Sequence, residues 1–180
     1  MNKTCRDDEI IYFSIFDTGI GAGGVVANAL GLLEVWLPFA GEDKTSIENQ
    51  IAKKYPTASK ESRLTQNASV LLSRYFSGEP VHFDLPICSG LFTVFQMSAY
   101  AAVSKIPYGE VRSYSQIAVQ IGHPKAARGV GVAMGRNPIP VVIPCHRVVG
   151  KNGAMTGYSA PGGIDSKRWL LDMERGESSK

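Results

Sequence analysis

The residues best suited to chemistry are Cys145 and His146, which are neighbours near the end of an apolar stretch. A cysteine reacts as its thiolate, and an unassisted thiol with a pKa of about 8.5 is only slightly ionised at neutral pH. A neighbouring base such as His146 raises that fraction. The pair is therefore a candidate nucleophile and base, although a lone cysteine in an apolar run more often only fills space.

The stretch that carries this pair contains prolines at positions 138, 140 and 144. Each proline fixes its own φ angle, lacks a backbone N–H and pushes the preceding residue towards extended geometry. We therefore predict that residues 137–149 form a stiff, buried, extended strip. Because adjacent side chains of such a strip point to opposite faces, sulfur and imidazole can meet through a turn at Cys145 or through water, and the water relay is expected.

The charge of the chain is unevenly distributed. Residues 1–104 carry 8 Lys/Arg and 11 Asp/Glu, whereas residues 105–180 carry 11 and 5, so the net charges are −3 and +6. A basic half is expected of a module that meets phosphates, although a solvated basic face would look the same.

The composition is that of a globular protein, with 44% hydrophobic residues in 180. Glycines and Pro38 interrupt the longest apolar stretch, residues 20–39, so no membrane span is expected. The charged residues 1–9 do not resemble a signal peptide, and the cytoplasm, or the nucleus in a eukaryote, is the expected compartment. Three widely spaced cysteines, Cys5, Cys88 and Cys145, predict neither a disulfide framework nor a zinc site.

The first half predicts a small domain with a sheet and helices. β-branched, aromatic and aliphatic runs predict a three-stranded antiparallel meander, with strands at residues 10–16, 25–27 and 32–37 and a glycine-rich turn at 19–24. Helical spacing of apolar residues predicts two helices, at residues 46–54 and 62–76. We place the domain boundary after residue 85, which gives domains of residues 1–85 and 86–180.

The second half predicts a mostly helical domain, so the fold class is α/β of the α+β type. Its helices are predicted at residues 93–104, 114–121 and 124–134. Ser113 and Gln116 form a capping box for the second of these helices, and His123 and Pro124 suit the start of the third. Two short helices joined by a glycine turn outline a helix-turn-helix of a winged-helix-like domain, whose second helix usually meets DNA.

The second helix of this helix-turn-helix, residues 124–134, carries small side chains at Ala126, Ala127, Gly129, Gly131 and Ala133. They are too small to read base edges in the major groove, and they permit close approach to a narrow groove or to another helix. Arg128 is the one long cation among them, and it could enter the space that an extruded nucleotide leaves in the duplex.

Several motifs follow one another along the second half, namely residues 108–114, 126–128, 137–138, 144–149, 157–159 and 167–171. Together they resemble the alkylguanine-DNA alkyltransferases, whose signature Pro-Cys-His-Arg-Val is present as Pro144–Val148. The resemblance is strong over residues 93–175 and weaker in the first half. It implies a methylated-DNA–protein-cysteine methyltransferase that flips O6-alkylguanine out of double-stranded DNA and transfers the alkyl group to cysteine once per molecule. It further implies a monomer without a cofactor.

The resemblance also implies a role for each matching residue of the reaction centre. Cys145 would be the alkyl acceptor, His146 its base through water, and Glu174 the carboxylate that orients His146. Asn137 would brace the turn that presents the cysteine. Tyr114 would lie against the extruded guanine and assist the departing base with its hydroxyl.

The remaining matches imply a substrate pocket and a DNA-binding surface. The pocket walls are expected at Met134, Pro140, Tyr158 and Ser159, with main-chain recognition of guanine at Cys145, Val148 and Ser159, and Lys167 at the rim. DNA contacts are expected at Tyr114, Ser115, His123, Ala126, Ala127, Arg128, Gly131 and Lys151. Ala160-Pro161 before the glycine pair, and the residue types at 115 and 123, depart from other members. No metal site is expected, because Cys5 alone does not reproduce the ligand set of the members that bind zinc.

Other classes of protein remain as alternatives. A non-catalytic lesion binder of the alkyltransferase-like type would resemble this half but lack the acceptor cysteine. A winged-helix transcription factor would use Cys145 only structurally or as a sensor. A cysteine hydrolase is a weaker option, because adjacent Cys and His are not the arrangement of those enzymes. An alkyl acceptor further requires a cavity at Cys145 wide enough for a purine.

Overall fold

The computed structural model describes residues 10–38 and 42–177, and the chain divides into two compact units, residues 1–91 and 92–180. The boundary lies after Leu91, whereas the sequence placed it after residue 85. Cys5 lies outside the described residues. No helix of the described part is long and apolar enough to cross a membrane, and the same part holds no group of three metal-ligating side chains.

The first unit contains the predicted antiparallel meander. Its strands are β1 (Tyr12–Thr18), β2 (Gly21–Asn28) and β3 (Gly31–Trp36). A short β4 (Ser59–Lys60) pairs in parallel with β1, which gives the order β3-β2-β1-β4. Two helices pack on this sheet, α1 (Lys44–Lys54) and α2 (Arg63–Phe76).

The glycines after β1 do not all belong to a turn, as the sequence predicted, because β2 begins at Gly21. A Cβ on Gly23 would lie 2.4 Å from the Phe16 ring, and one on Gly24 would lie 2.8 Å from Ile47. Glycine is therefore required inside this strand for close packing against β1 and α1.

One cysteine of this unit also differs from expectation. Cys88 is disulfide-bonded, so the prediction that the cysteines form no disulfide is wrong for this residue. Cys145 is a free, buried thiol.

The second unit is mostly helical, as predicted. Its elements are α3 (Val94–Val103), β5 (Arg112–Ser113), α4 (Tyr114–Gln120), α5 (Ala127–Gly135), β6 (Val148–Val149) and α6 (Gly163–Glu174). Strands β5 and β6 form a two-stranded parallel sheet. The predicted capping box at the start of α4 is present, because Gln116 N donates to Ser113 Oγ and Ser113 N donates to Gln116 Oε1.

Helix α5 begins three residues later than the sequence predicted. His123 does not cap it, because the His123 carbonyl accepts from Ala126 N in a turn that contains Pro124 and Lys125. The His123 N–H itself donates to Ala118 O and so completes the end of α4. Pro124 therefore lies in the connection between the two helices, and Ala126 is the residue that precedes α5.

Candidate functional site

The segment that carries Cys145 is a folded turn and not the extended strip that its prolines suggested. Val141 has a φ of +73°, and Cys145–Arg147 form one turn of 3-10 helix. Ile143 N donates to Ile139 O at 2.9 Å, so the chain reverses between the prolines. The prolines exclude an α-helix but leave such tight turns open. We refer to residues 137–149 as the acceptor turn.

Asn137, the first residue of the acceptor turn, binds three later residues of that turn. Its Nδ2 donates to Ile143 O at 2.9 Å and to Cys145 Sγ at 3.2 Å, and its Oδ1 accepts from Ile139 N at 3.0 Å. One side chain thus fixes the backbone before the cysteine and also contacts the sulfur. The structure therefore brings Asn137 and Cys145 together as the sequence predicted, while their roles in a reaction stay predictions.

Behind the cysteine, three charged or titratable side chains form a buried cluster. His146 Nε2 lies 2.8 Å from Glu174 Oε1. Arg147 donates to both oxygens of Glu174 at 2.9 to 3.2 Å, and its Nη1 donates to Ile106 O at 2.7 Å. The Glu174 carboxylate also accepts from Gly109 N at 3.0 Å. The side chains of His146 and Glu174 are fully buried.

The surroundings of these groups shift their pKa values. Burial disfavours ionisation of Glu174, but hydrogen bonds from His146 and Arg147 outweigh it and hold the pKa of this carboxyl well below its usual range. Burial lowers the pKa of His146, although Glu174 opposes that shift. The imidazole is therefore neutral at neutral pH and can accept a proton.

The Cys145 thiol is buried, with 5% of its surface exposed, and this burial raises its pKa. The hydrogen bond from Asn137 and the charge of Lys167 oppose the shift, as do the backbone N–H groups of Cys145 and His146. The sulfur is thus a neutral thiol at rest, surrounded by groups that favour its thiolate.

The loop after the acceptor turn covers the sulfur, because Tyr158 lies against a thiol that is only 5% exposed, whereas the sequence reasoning required an open purine cavity there. The loop comprises residues 154–162, which we name the covering segment. The Tyr158 hydroxyl is buried, and both this burial and the nearby Cys145 raise its pKa well above the usual value. Tyr114 Oη donates to Thr156 O at 3.1 Å.

Lys167, which the resemblance placed at the rim of the substrate pocket, is fully buried. Its ammonium donates to Val148 O at 2.6 Å and to Thr156 O at 3.5 Å, and it lies 5.7 Å from the centroid of the Tyr114 ring. Burial lowers the pKa of Lys167, and Cys145 opposes that shift. Carbonyl oxygens and the aromatic ring together compensate for burial of the charge.

The other predicted pocket residues differ in exposure. Met134, Pro140 and Val148 are buried, whereas Ser159 is exposed. Val148 N donates to Cys145 O within the turn.

The residues predicted to contact DNA lie on α4 and α5 and in the connection between them, except Lys151, which follows β6 in a 3-10 turn. The exposed ones are Ser115, His123, Arg128 and Lys151, and the half-buried ones are Ala126, Ala127 and Gly131. The His123 ring packs on Phe95, with 5.8 Å between the ring centroids. Gly131 lies beside Tyr114, because a Cβ there would be 3.8 Å from that ring. Small residues thus bring the backbone of α5 close to Tyr114.

Sequence reasoning missed two participants in this site, Arg147 and the Thr156 carbonyl. An arginine inside an apolar run was a usable signal for the first, because a buried guanidinium requires a carboxylate partner. No residue-type signal marks the second, because the contact uses a backbone oxygen.

The chain is similar to a known family model and to named proteins. Residues 94–176 match the family model described as 6-O-methylguanine DNA methyltransferase, DNA binding domain. The chain is 38% identical over 164 residues to the methylated-DNA–protein-cysteine methyltransferase of Methanosarcina acetivorans, covering 91% of this chain and 98% of the relative. It is 51% identical over 105 residues to the one from Mycobacterium tuberculosis, covering 58% and 61%.

Solved structures are similar over nearly the whole chain. The Mycobacterium tuberculosis O6-methylguanine methyltransferase superposes with a TM-score of 0.72 at 34% identity, covering 94% of this chain and 96% of the other. The same enzyme in complex with DNA gives a TM-score of 0.72 at 35% identity, covering 93% and 94%.

Proposed function

The chain belongs to the methylated-DNA–protein-cysteine methyltransferases, and from that premise we propose that it transfers the alkyl group of O6-alkylguanine in duplex DNA to Cys145. We further propose that the nucleotide is flipped out of the helix and that each molecule, acting as a monomer, reacts once. The observation that carries the proposal is that the Asn137 amide, the His146 backbone N–H and the charge of Lys167 all act on one free thiol.

The transfer is a displacement at the alkyl carbon. The Sγ–carbon bond forms as the carbon–O6 bond breaks, the thiol proton passes to His146, and the departing guanine takes up one proton. His146 is neutral at rest, and its Nε2–H donates a hydrogen bond to the Glu174 carboxylate, which stays ionised. Asn137, Lys167 and the backbone N–H groups stabilise negative charge on sulfur. Water would carry the proton between Sγ and the imidazole.

Substrate access requires two movements. An alkylguanine inside a duplex cannot reach a buried sulfur, so the nucleotide must leave the stack, at a cost of about a few kcal/mol. Helix α5, with its small residues and exposed Arg128, supports a role in this step, in which Arg128 fills the vacated space. The covering segment must also move away from Cys145, because the sulfur is closed off at rest.

The product supports a single turnover. A thioether at Cys145 is not hydrolysed as a thioester would be, and the only other cysteine within the described residues, Cys88, is already disulfide-bonded. The acceptor is therefore consumed by the reaction.

Peptide mass spectrometry tests the proposal. After incubation with duplex DNA containing O6-methylguanine, the peptide with Cys145 should gain one methyl group, and the Cys145→Ala protein should gain none. Methyl groups on another residue, or none at all, would contradict the proposed acceptor. Arg128→Ala should slow the reaction with duplex DNA much more than with free alkylguanine, and equal slowing would exclude the stack-filling role.

A further inference from the structure

The buried Arg147 shares a carboxylate with His146, the proposed general base. Arg147 donates three hydrogen bonds to Glu174, and Glu174 Oε1 is shared between Arg147 and His146. Its Nη1 donates to Ile106 O, and its guanidinium lies 5.7 Å from the Tyr108 ring centroid. The guanidinium is therefore fixed by its contacts with Glu174, Ile106 and Tyr108.

We propose that Arg147 is a positioning residue that keeps His146 neutral before the reaction. This inference rests on the proposed function of His146. With Arg147 in place, the Glu174 charge is compensated by the guanidinium and does not require a protonated imidazole. Without that cation, a buried carboxylate would draw a proton onto His146, and an imidazolium cannot accept the thiol proton.

The charges around His146 support this direction. Glu174 and Lys167 face the imidazole from α6, and Arg147 and Cys145 flank it in its own turn. Arg147 and Lys167 disfavour its protonation, and Glu174 favours it. Removing one of the two cations shifts this balance towards the imidazolium.

The pH profile of methyl transfer tests the role of Arg147. Arg147→Met should move the acidic limb of the profile to higher pH, with a rate about 10-fold lower at pH 7 that recovers at higher pH. Arg147→Lys keeps the charge and should leave the limb near its original position. A uniform loss at every pH would show a purely structural role.

NMR titration of His146 in the unaltered protein keeps the inference testable if Arg147→Met fails to fold. Because burial also lowers the pKa of His146, the titration is compared with that of Arg147→Gln, in which the His146 pKa should rise. An unchanged pKa in that variant, or a ring already protonated at neutral pH in the unaltered protein, overturns the inference. Neither result depends on methyl transfer, so it is separable from failure of the proposed function.

A second inference concerns the covering segment and rests on a different contact. Tyr114 has one hydroxyl proton, and in this structure Thr156 O accepts it at 3.1 Å. In the proposed reaction the same proton is offered to the departing guanine. The two hydrogen bonds are mutually exclusive.

The backbone of the covering segment suits a part that moves. Residues 154–159 lack regular secondary structure, and left-handed glycines stand at both ends and in the middle, at Gly153 (φ +78°), Gly157 (φ +47°) and Gly163 (φ +54°). The Thr156 carbonyl ties this stretch to Tyr114 of α4 and to Lys167 of α6.

The geometry points to a latch, in which the Tyr114–Thr156 hydrogen bond holds the covering segment over Cys145. The latch opens when a flipped alkylguanine replaces Thr156 O as the acceptor of the Tyr114 hydrogen bond. The latch protects a thiol that can be used only once. It rests on the proposed function, but its test does not require alkyl transfer.

The rate at which a small maleimide labels Cys145 in the DNA-free protein tests the latch, with the labelled peptide identified by mass spectrometry. Tyr114→Phe should increase this rate several-fold, while it slows methyl transfer from duplex DNA. Labelling at the original rate would overturn the latch and leave the methyl-transfer proposal intact. A thermal melt shows whether the variant is folded.

Glycine substitutions give an independent test that leaves Tyr114 in place. Gly157→Ala strains the closed conformation, because the φ of this residue is left-handed. The strain comes from the backbone alone, since an added Cβ meets nothing within 4 Å. Labelling of Cys145 should therefore rise about 5-fold. Gly78→Ala introduces the same kind of strain, at φ +89° and in open space, in the other unit, and should leave labelling unchanged. Equal labelling of both variants and the original protein would contradict the latch.

Discussion

The acceptor turn and the covering segment are neighbours in sequence but are held in opposite ways. Residues 139–149 are all buried, and Asn137 binds the backbone before Cys145 and the sulfur itself. Residues 154–162 are mostly exposed and reach the site through the Thr156 carbonyl and the Tyr158 hydroxyl. The groups that we propose to perform the chemistry are thus fixed in advance, while the segment that we propose to open is held by few contacts.

The largest expected effect is on the acceptor turn itself. Cys145→Ser should abolish methyl transfer, by on the order of 10³-fold or more, because a serine hydroxyl is a far weaker nucleophile in the same place. The quantity to measure is the single-turnover rate on methylated duplex. DNA binding, measured by fluorescence anisotropy, should be retained, and a variant that still transfers methyl groups would place the acceptor elsewhere.

The second largest effect is expected on the stability of the fold, at the buried cluster of His146, Arg147 and Glu174. Glu174→Gln leaves the Arg147 charge buried without its carboxylate and should lower the free energy of unfolding by about 3–5 kcal/mol. Urea denaturation measures this change. Glu177→Gln, which alters an exposed carboxylate of the same region, is the matched control and should change stability little. Equal effects would show that the cluster contributes nothing specific.

The pH dependence of stability sharpens the same point. The folded-state pKa of Glu174 lies well below the value of about 4.3 in an unfolded chain. Its contribution is therefore complete above that pH and is lost as the pH falls towards the folded-state value. His146, whose folded-state pKa is lowered, loses stability in the same direction from about pH 6.5 downwards. The free energy of unfolding should thus fall in acid, and less steeply in Glu174→Gln.

Asn137→Ala is expected to have a moderate effect that extends to reactivity. It removes hydrogen bonds to Ile143 O, Ile139 N and Cys145 Sγ, and should cost about 1–3 kcal/mol of stability because partly buried groups lose their partners. Methyl transfer should slow at the same time. A variant with altered stability and an unchanged rate would limit Asn137 to a structural role.

The smallest effect is expected in the covering segment. Ser159→Ala changes an exposed side chain and should alter the free energy of unfolding by less than about 0.5 kcal/mol. A thermal melt is sufficient to measure it. A loss as large as that of Asn137→Ala would remove the contrast between the two regions.

The sequence predicted those parts of the fold that depend on local chemistry. The capping box of Ser113 and Gln116 places α4 correctly, and the strand patterns predict the meander of β1, β2 and β3. The predicted start of α5 was wrong because Pro124 suits a turn as well as a first helical position. The His123 carbonyl accepts from Ala126 N and so closes a turn there.

Within the site, the sequence pointed to Cys145, His146 and Glu174 because of residue type and family resemblance, and the structure brings the last two into contact. It could not predict the 3-10 turn, because three prolines exclude a helix without specifying how the chain reverses. Nor could it predict that Lys167 is buried, since that depends on two carbonyls and an aromatic ring supplied by distant segments.

The most direct test of the central claim is a titration of the protein with duplex DNA that carries radiolabelled O6-methylguanine. With excess methylated DNA, the account predicts that label on the protein rises to one methyl per molecule, all of it on Cys145, and then stops. Continued release of repaired DNA beyond one equivalent, or a plateau of label that survives Cys145→Ala, would contradict it.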